Sequence, residues 1–210
     1  MVTISYAITC HNEHIELERL LDLLNDHITS EDEIILQLDI TATVEVRRIA
    51  EKYRSGTPYS YKVIFFELNK DFSSFKNNLS KHCTKDYIFQ IDADEYPHTY
   101  LLQNLSELLE LNKTIDVYLV PRINTVEGLT QKHIIEWGWR VDEKDRVNFP
   151  DFQWRIWKNK DSIYWINKVH ERLSGFSEYT ALPELDEFCL YHPKHIKRQE
   201  VQNQLYKNIS

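Results

Sequence analysis

Three successive rounds of a short apolar run followed by an amphipathic stretch, joined by links of a few residues, restrict this chain more than any other feature. Residues 2–9 form the first β-rich run. The helix opening near Asn12 then carries an apolar stripe of Ile15, Leu17, Leu20, Leu21, Leu23 and Leu24. Residues 33–38 read as a second strand ending at Asp39. Thr41 or Thr43 next opens a helix through Val44, Val46, Ile49, Ala50 and Tyr53, expected to stop near Gly56, Thr57 and Pro58. Residues 61–66 form a third strand. Strands that alternate with helices over short links pair in parallel, with the helices packed back onto the sheet. The pattern therefore predicts an α/β fold whose mainly parallel central sheet is covered on both faces.

The next stretch, DFSSFKNNLSKHCTKDYIFQIDADEYP over residues 71–97, reads as a polar turn, an amphipathic helix and a buried strand at 87–91 ending in Asp92, Asp94 and Glu95. Burial of the strand's Tyr, Ile and Phe side chains fixes the position of the carboxylates that follow. Ligands of open α/β sheets bind at the carboxyl ends of strands, and two aspartates one residue apart can converge on a divalent cation. Asp94 also fits as the cap of a helix with Glu95 and Pro97 in its first turn, and the two readings are compatible.

Beyond Pro97, Leu101, Leu102, Leu105, Leu108 and Leu109 mark a helix, and residues 117–123 a strand. The alternation then breaks down. Residues 124–190 hold all five tryptophans, Trp137, Trp139, Trp154, Trp157 and Trp165. Most such rings are packing residues, although aromatic faces also stack on sugars. We expect one domain over 1–210: a nucleotide-binding half at 1–97, an acceptor half at 98–190 laid on the same sheet, and a tail at 191–210 in which a basic loop leads into a polar helix.

Composition removes several classes. The net charge of −8 disfavours a nucleic-acid partner. Only four glycines are present, Gly56, Gly128, Gly138 and Gly175, too scattered for a Gly-rich phosphate loop. Cys10, Cys83 and Cys189 are odd in number and widely spaced, which suits a reducing compartment better than a disulfide framework, and Cys10 and Cys83 read as small core residues. No run reaches the roughly 18 apolar residues of a membrane span, so the expected location is cytoplasmic, with peripheral membrane contact left open. The charge runs at 31–33 and 142–146 read as solvated turns.

Other polar residues gain meaning from placement. Asp39 at a strand end is commonly a turn residue, yet a parallel sheet brings it to the rim that carries Asn12 and Asp92. The His170-Glu171 pair reads alone as a surface feature, while imidazole beside oxygen donors suits manganese; His192 and His195 offer the same chemistry.

Five ordered segments resemble family 2 glycosyltransferases of GT-A fold, most of all enzymes like the lipopolysaccharide core β-glucosyltransferases. They are Ile8-Thr9-Cys10-His11-Asn12-Glu13, Asp71-Phe72-Ser73 with Lys76-Asn77, Ile91-Asp92-Ala93-Asp94-Glu95, Pro150-Asp151-Phe152-Gln153 with Arg155, and Val169-His170-Glu171-Arg172-Leu173, spanning residues 3–175. The resemblance implies a β-rich acceptor half and a nucleoside diphosphate sugar, expected to be UDP-linked, held along Asn12 and Glu13. It implies Asp39 at the base, Asp92 at the ribose or metal, and Asp94 as the direct ligand of Mn²⁺ or Mg²⁺; the imidazole chemistry noted above leaves His170 as a third metal candidate. Asp71, Lys76, Asn77 and Arg155 fall to the donor side. Lys76 stands where the family usually has Arg, which keeps the charge and loses the bidentate fork. Ile40-Thr41-Ala42-Thr43 replaces the family's small-residue run after the aspartate.

The chemistry fits the resemblance. A divalent ion stabilises the charge developing on a nucleoside diphosphate as the anomeric bond breaks. Attack by a hydroxyl from the opposite face inverts that centre and requires a carboxylate to take the proton. Asp151 is the first candidate and Glu171 the second. The acceptor is expected to be a glycan, lipopolysaccharide or other hydroxyl compound. A nucleotidyltransferase is disfavoured by the glycine count, and a catalytically silent nucleotide- or carbohydrate-binding module is the alternative of another class.

Overall fold

The structure, a computed structural model, describes residues 1–54 and 57–207, apart from the side chains of 202 and 204–207. Strands β1 (Ile4–Cys10), β2 (Glu33–Asp39), β3 (Ser60–Phe66) and β4 (Tyr87–Asp92) run parallel in the order β3-β2-β1-β4. All seven residues of β2 are buried, as befits a strand covered on both faces. Alternate side chains enter separate cores. Ile4, Tyr6, Ile8, Ile34 and Leu36 pack with Leu17, Leu20, Leu21, Val46, Leu101 and Leu105, whereas Ala7, Ile35 and Ile88 pack with Leu79, Trp157 and Trp165.

The first core is covered by helices α1 (His14–His27), α2 (Val44–Lys52) and α4 (Thr99–Leu111); α3 (Phe72–Ser80) lies on the other face. Thr43 caps α2 by accepting a hydrogen bond from Val46 N, and Asp71 caps α3 by accepting one from Ser74 N. Gly56, expected to mark the end of α2, lies outside the described residues.

The second half contributes β5 (Tyr96–Pro97), β6 (Val117–Glu127), β7 (Val147–Lys158), β10 (Tyr179–Ala181) and β11 (Leu190–His195) to the same nine-stranded sheet. A short helix α5 (Gln131–Trp137) links β6 to β7, and β8 (Tyr164–Ile166) pairs with β9 (Arg172–Ser174) as a separate ribbon. Strand β7 is antiparallel to both neighbours and is inserted between β4 and β6. Trp157 and Trp165 meet edge to face in the second core, which makes these two rings packing residues.

Several expectations are corrected here. Asp94 caps no helix: β5 follows it, and His98 caps α4. The stretch expected as a basic loop at the start of the tail is strand β11, paired in parallel with β6 and followed by α6 (Ile196–Lys207). Asp32 and Glu33 are buried rather than solvated. Asp32 accepts from Ile4 N and Thr29 N, and Glu33 from Ser5 Oγ, Thr84 N and Thr84 Oγ1, so backbone and hydroxyl donors replace water.

Candidate active site

The parallel register aligns strand ends: Thr9 stands opposite Asp92, Cys10 opposite Leu38 and Asp39 opposite Phe66. Above them opens a cleft of about 520 Å³, lined also by β6, β7, β11 and the loop before β9. Its floor is a ladder of alternating charge. Arg155 donates to Asp92 Oδ2 (2.6 Å) and Glu95 Oε1 (2.7 Å); Arg122 donates to the same Glu95 oxygen (2.7 Å) and to Asp151 Oδ2 (2.6 Å). Glu95 and Arg155 are buried, and each charge is compensated by its neighbours. Asp92 Oδ1 also accepts from Thr9 Oγ1 (2.8 Å) and Gln90 Nε2 (2.9 Å).

Asp94 stands apart from that ladder. Its Oδ2 lies 3.1 Å from His192 Nε2 and 3.3 Å from the Arg198 guanidinium. The His192 ring has a tautomer dictated by its surroundings. Asp151 Oδ2 only accepts, so Asn124 must turn its amide nitrogen toward it (2.8 Å); the amide oxygen then faces His192 Nδ1 at 2.7 Å. Nδ1 therefore carries a hydrogen, and Nε2 directs its remaining valence at the Asp94 carboxylate.

Burial alone would raise the carboxyl pKa values here, but the surrounding donors and cations win. Asp92 is held well below the usual range chiefly by Arg155 and Lys76. Asp94 is held low by His192, Lys194 and Arg198, and Asp151 by Arg122, Asn124 and Gln153. All three are anions at neutral pH.

The Glycosyl transferase family 2 model matches residues 5–173. The chain belongs to glycosyltransferase family 2. Among solved structures, this family 2 chain is similar to S. aureus TarS 1–349 in complex with UDP, with a TM-score of 0.63 and 17% identity over 92% of this chain and 60% of that one. The complex of the same TarS segment with UDP-GlcNAc gives 0.63 and 17%, covering 92% and 59%. TarS itself gives 0.63 and 18%, covering 92% and 37%. At this identity the likeness establishes the GT-A fold, and the chain spans about 60% of the length of the TarS 1–349 structures. No curated protein matches the sequence.

Within the family 2 domain the expected residues separate into groups. Glu13, Asp39, Lys76, Asp92, Asp94, Asp151, Arg155, His170 and Glu171 line the cleft. Glu13 accepts from the backbone of His11 and Asn12 and from Arg198. Asp39 accepts from Thr41 and from Leu68 N (2.8 Å). Lys76 is buried over the Trp165 ring and ion-paired with Glu171, so the loop before β9 closes onto α3.

Asn12, Asp71 and Asn77 fall outside the lining. Asn12 is exposed, Asp71 is the α3 cap, and Asn77 exchanges two hydrogen bonds with the Trp165 backbone. These bonds make Asp71 and Asn77 part of the frame around the cleft. Nor do Asp92, Asp94 and His170 assemble into one cluster: among the described residues no group of three metal-ligating side chains is gathered, because Asp92 is committed to Arg155, Thr9 and Gln90.

Arg122, Asn124 and Arg198 complete the site and were not singled out for it by motif, and they are joined by His192, which the sequence offered only as one of several imidazoles. Arg122 did carry a signal, a charge inside the otherwise apolar run 117–123. His192 is brought in by the pairing of β11 with β6, at a position opposite Asn124.

Proposed function

We propose that this glycosyltransferase moves a sugar from a nucleoside diphosphate donor, UDP-linked, to a hydroxyl of a glycan or related acceptor, with inversion and with Mn²⁺ or Mg²⁺ as cofactor. The observation that carries the reading is the Asp94 and His192 pair, whose orientation is imposed by Asn124 and Asp151. One carboxylate and one neutral imidazole nitrogen suit Mn²⁺ better than Mg²⁺, with donor oxygens and water completing the ligand set. When bound, that ion neutralises the charge gathering on the departing diphosphate. The TarS complexes with UDP and UDP-GlcNAc support the choice of donor class.

In this reading Asp39 and Glu13 orient the nucleoside, Asp92 faces the ribose, and Lys76 supplies positive charge toward phosphate or sugar. Asp151 acts as general base. Its Oδ2 receives both Arg122 and Asn124, whereas Oδ1 receives only Gln153, which leaves a lone pair on Oδ1 for the acceptor's proton. The acceptor oxygen bonds to the anomeric carbon, the bond to the diphosphate oxygen breaks with its electron pair, and the proton passes to Asp151. Glu171, already paired with Lys76, is the second candidate.

The whole chain is taken as one domain because strands of both halves share one sheet. A cytoplasmic setting is supported by three free, buried cysteines. No helix among the described residues is long and apolar enough to cross a membrane.

A thermal-shift panel of UDP, GDP and CDP, each with and without Mn²⁺, tests the site. A shift with UDP that requires Mn²⁺ is expected and is lost in Asp94→Ala and His192→Ala; no shift with any diphosphate overturns the reading. Release of nucleoside diphosphate from a sugar-nucleotide panel then distinguishes enzyme from silent module. Asp151→Asn is expected to lower that rate about 100-fold or more, the scale of a lost general base.

A further inference from the structure

The proposed metal pair has a third neighbour, the Arg198 guanidinium, which comes from α6 and lies outside the stretch matched by the family. One of its terminal nitrogens lies 2.9 Å from Glu13 Oε1 and 3.3 Å from Asp94 Oδ2; the other donates to Glu16 Oε1 at 3.0 Å. Asp94 Oδ2 is also the oxygen that faces His192. A divalent ion at that oxygen and Arg198 in its present position would be two cations within a few ångströms, partly shielded from water by the cleft.

We propose that Arg198 is a displaceable counter-ion: it neutralises Asp94 in the empty site, yields that carboxylate to the metal, and then binds the diphosphate of the donor. The inference rests on the reading of Asp94 as a metal ligand given above. Three observations carry it. The guanidinium bridges two carboxylates that line the cleft, Glu13 and Asp94. Its five donors match phosphate oxygens bidentately, so it loses nothing by exchanging carboxylate for phosphate. Its helix can shift at low cost, since no described residue of α6 is buried. Glu16 on α1 keeps hold of the other end of the fork throughout, which limits the movement to a swing.

The two roles give opposite signs on one substitution. In Arg198→Ala, Mn²⁺ alone, titrated by electron paramagnetic resonance of the free ion, is expected to bind about threefold more tightly or better, the scale of one partly exposed ion pair. UDP in saturating Mn²⁺, followed by calorimetry, is expected to bind more weakly by at least the same factor. Arg198→Lys keeps the competition for Asp94 and regains only part of the UDP affinity, because a point charge replaces the fork. Weaker binding of both ligands in Arg198→Ala would mean that Arg198 only docks α6, and unchanged binding of both would make it a surface ion pair; either overturns the proposal. If wild-type protein binds neither Mn²⁺ nor UDP, the reading of the site falls, and this inference with it.

Discussion

Asp151 is an anion pinned by Arg122, so protonation of its carboxylate requires a pH below the ordinary aspartate value of about 4. In the proposed reaction a base must be deprotonated to work. The acid limb of kcat/KM assigned to Asp151 therefore lies below about pH 4 in the wild type. Replacing Arg122 by Gln removes the main charge that opposes burial, the pKa rises, and activity is expected to be lost at higher pH as the medium is acidified. A pH profile of the two proteins checks this; superimposable acid limbs would show that another group governs the limb. The same arithmetic applies to folding. Carboxylates with depressed native pKa values contribute stability that is complete above their unfolded pKa and disappears as pH falls through the native one. Asp92, Asp94 and Asp151 all belong to this class.

The ribbon of β8 and β9 holds the loop that carries His170 and Glu171 over the cleft, and Gly175 is where that ribbon has no tolerance. With φ at +82°, an added Cβ would sit 1.7 Å from Ser162 O. Gly175→Ala should cost about 2 kcal/mol or more, from strain and from separation of backbone segments. Because Asn77 and Lys76 of α3 grip this region through Trp165 and Glu171, UDP affinity should fall with it. Denaturant titration and calorimetry on the variant measure both, and unchanged values would uncouple the ribbon from the site. Elements differed in legibility for related reasons. Strands β1 to β4 and helices α1 to α4 announce themselves by local periodicity and caps, such as Thr43. Strand β11 does not, since HPKH has no apolar alternation and acquires its role only beside β6. Glu33 misleads in the same manner: nothing near it in sequence reveals that Ser5 and Thr84 will enclose it.

Across the molecule, the ladder from Asp92 to Asp151 contains three carboxylates and two guanidiniums, and Glu95 is shared by both arginines. Neutralising one end leaves two charges of each sign; neutralising both leaves Glu95 alone between two cations, Arg155 buried and Arg122 half-buried. Asp92→Asn and Asp151→Asn together should therefore destabilise by about 0.5 kcal/mol or more beyond the sum of the single changes, and additivity in a double-mutant cycle would refute the coupling. Motifs located both ends of this ladder, whereas its continuity depends on Arg122, which the insertion of β7 between β4 and β6 places beside Glu95 and Asp151. A last consequence concerns Asn124, which hydrogen-bonds Asp151 on one side and His192 on the other. An amide transmits orientation but does not ionise, so it acts as an insulator in this chain of polar groups. A proton collected at Asp151 has no route through it to the imidazole beside Asp94, and the two ends of the proposed reaction share a geometry without sharing a charge.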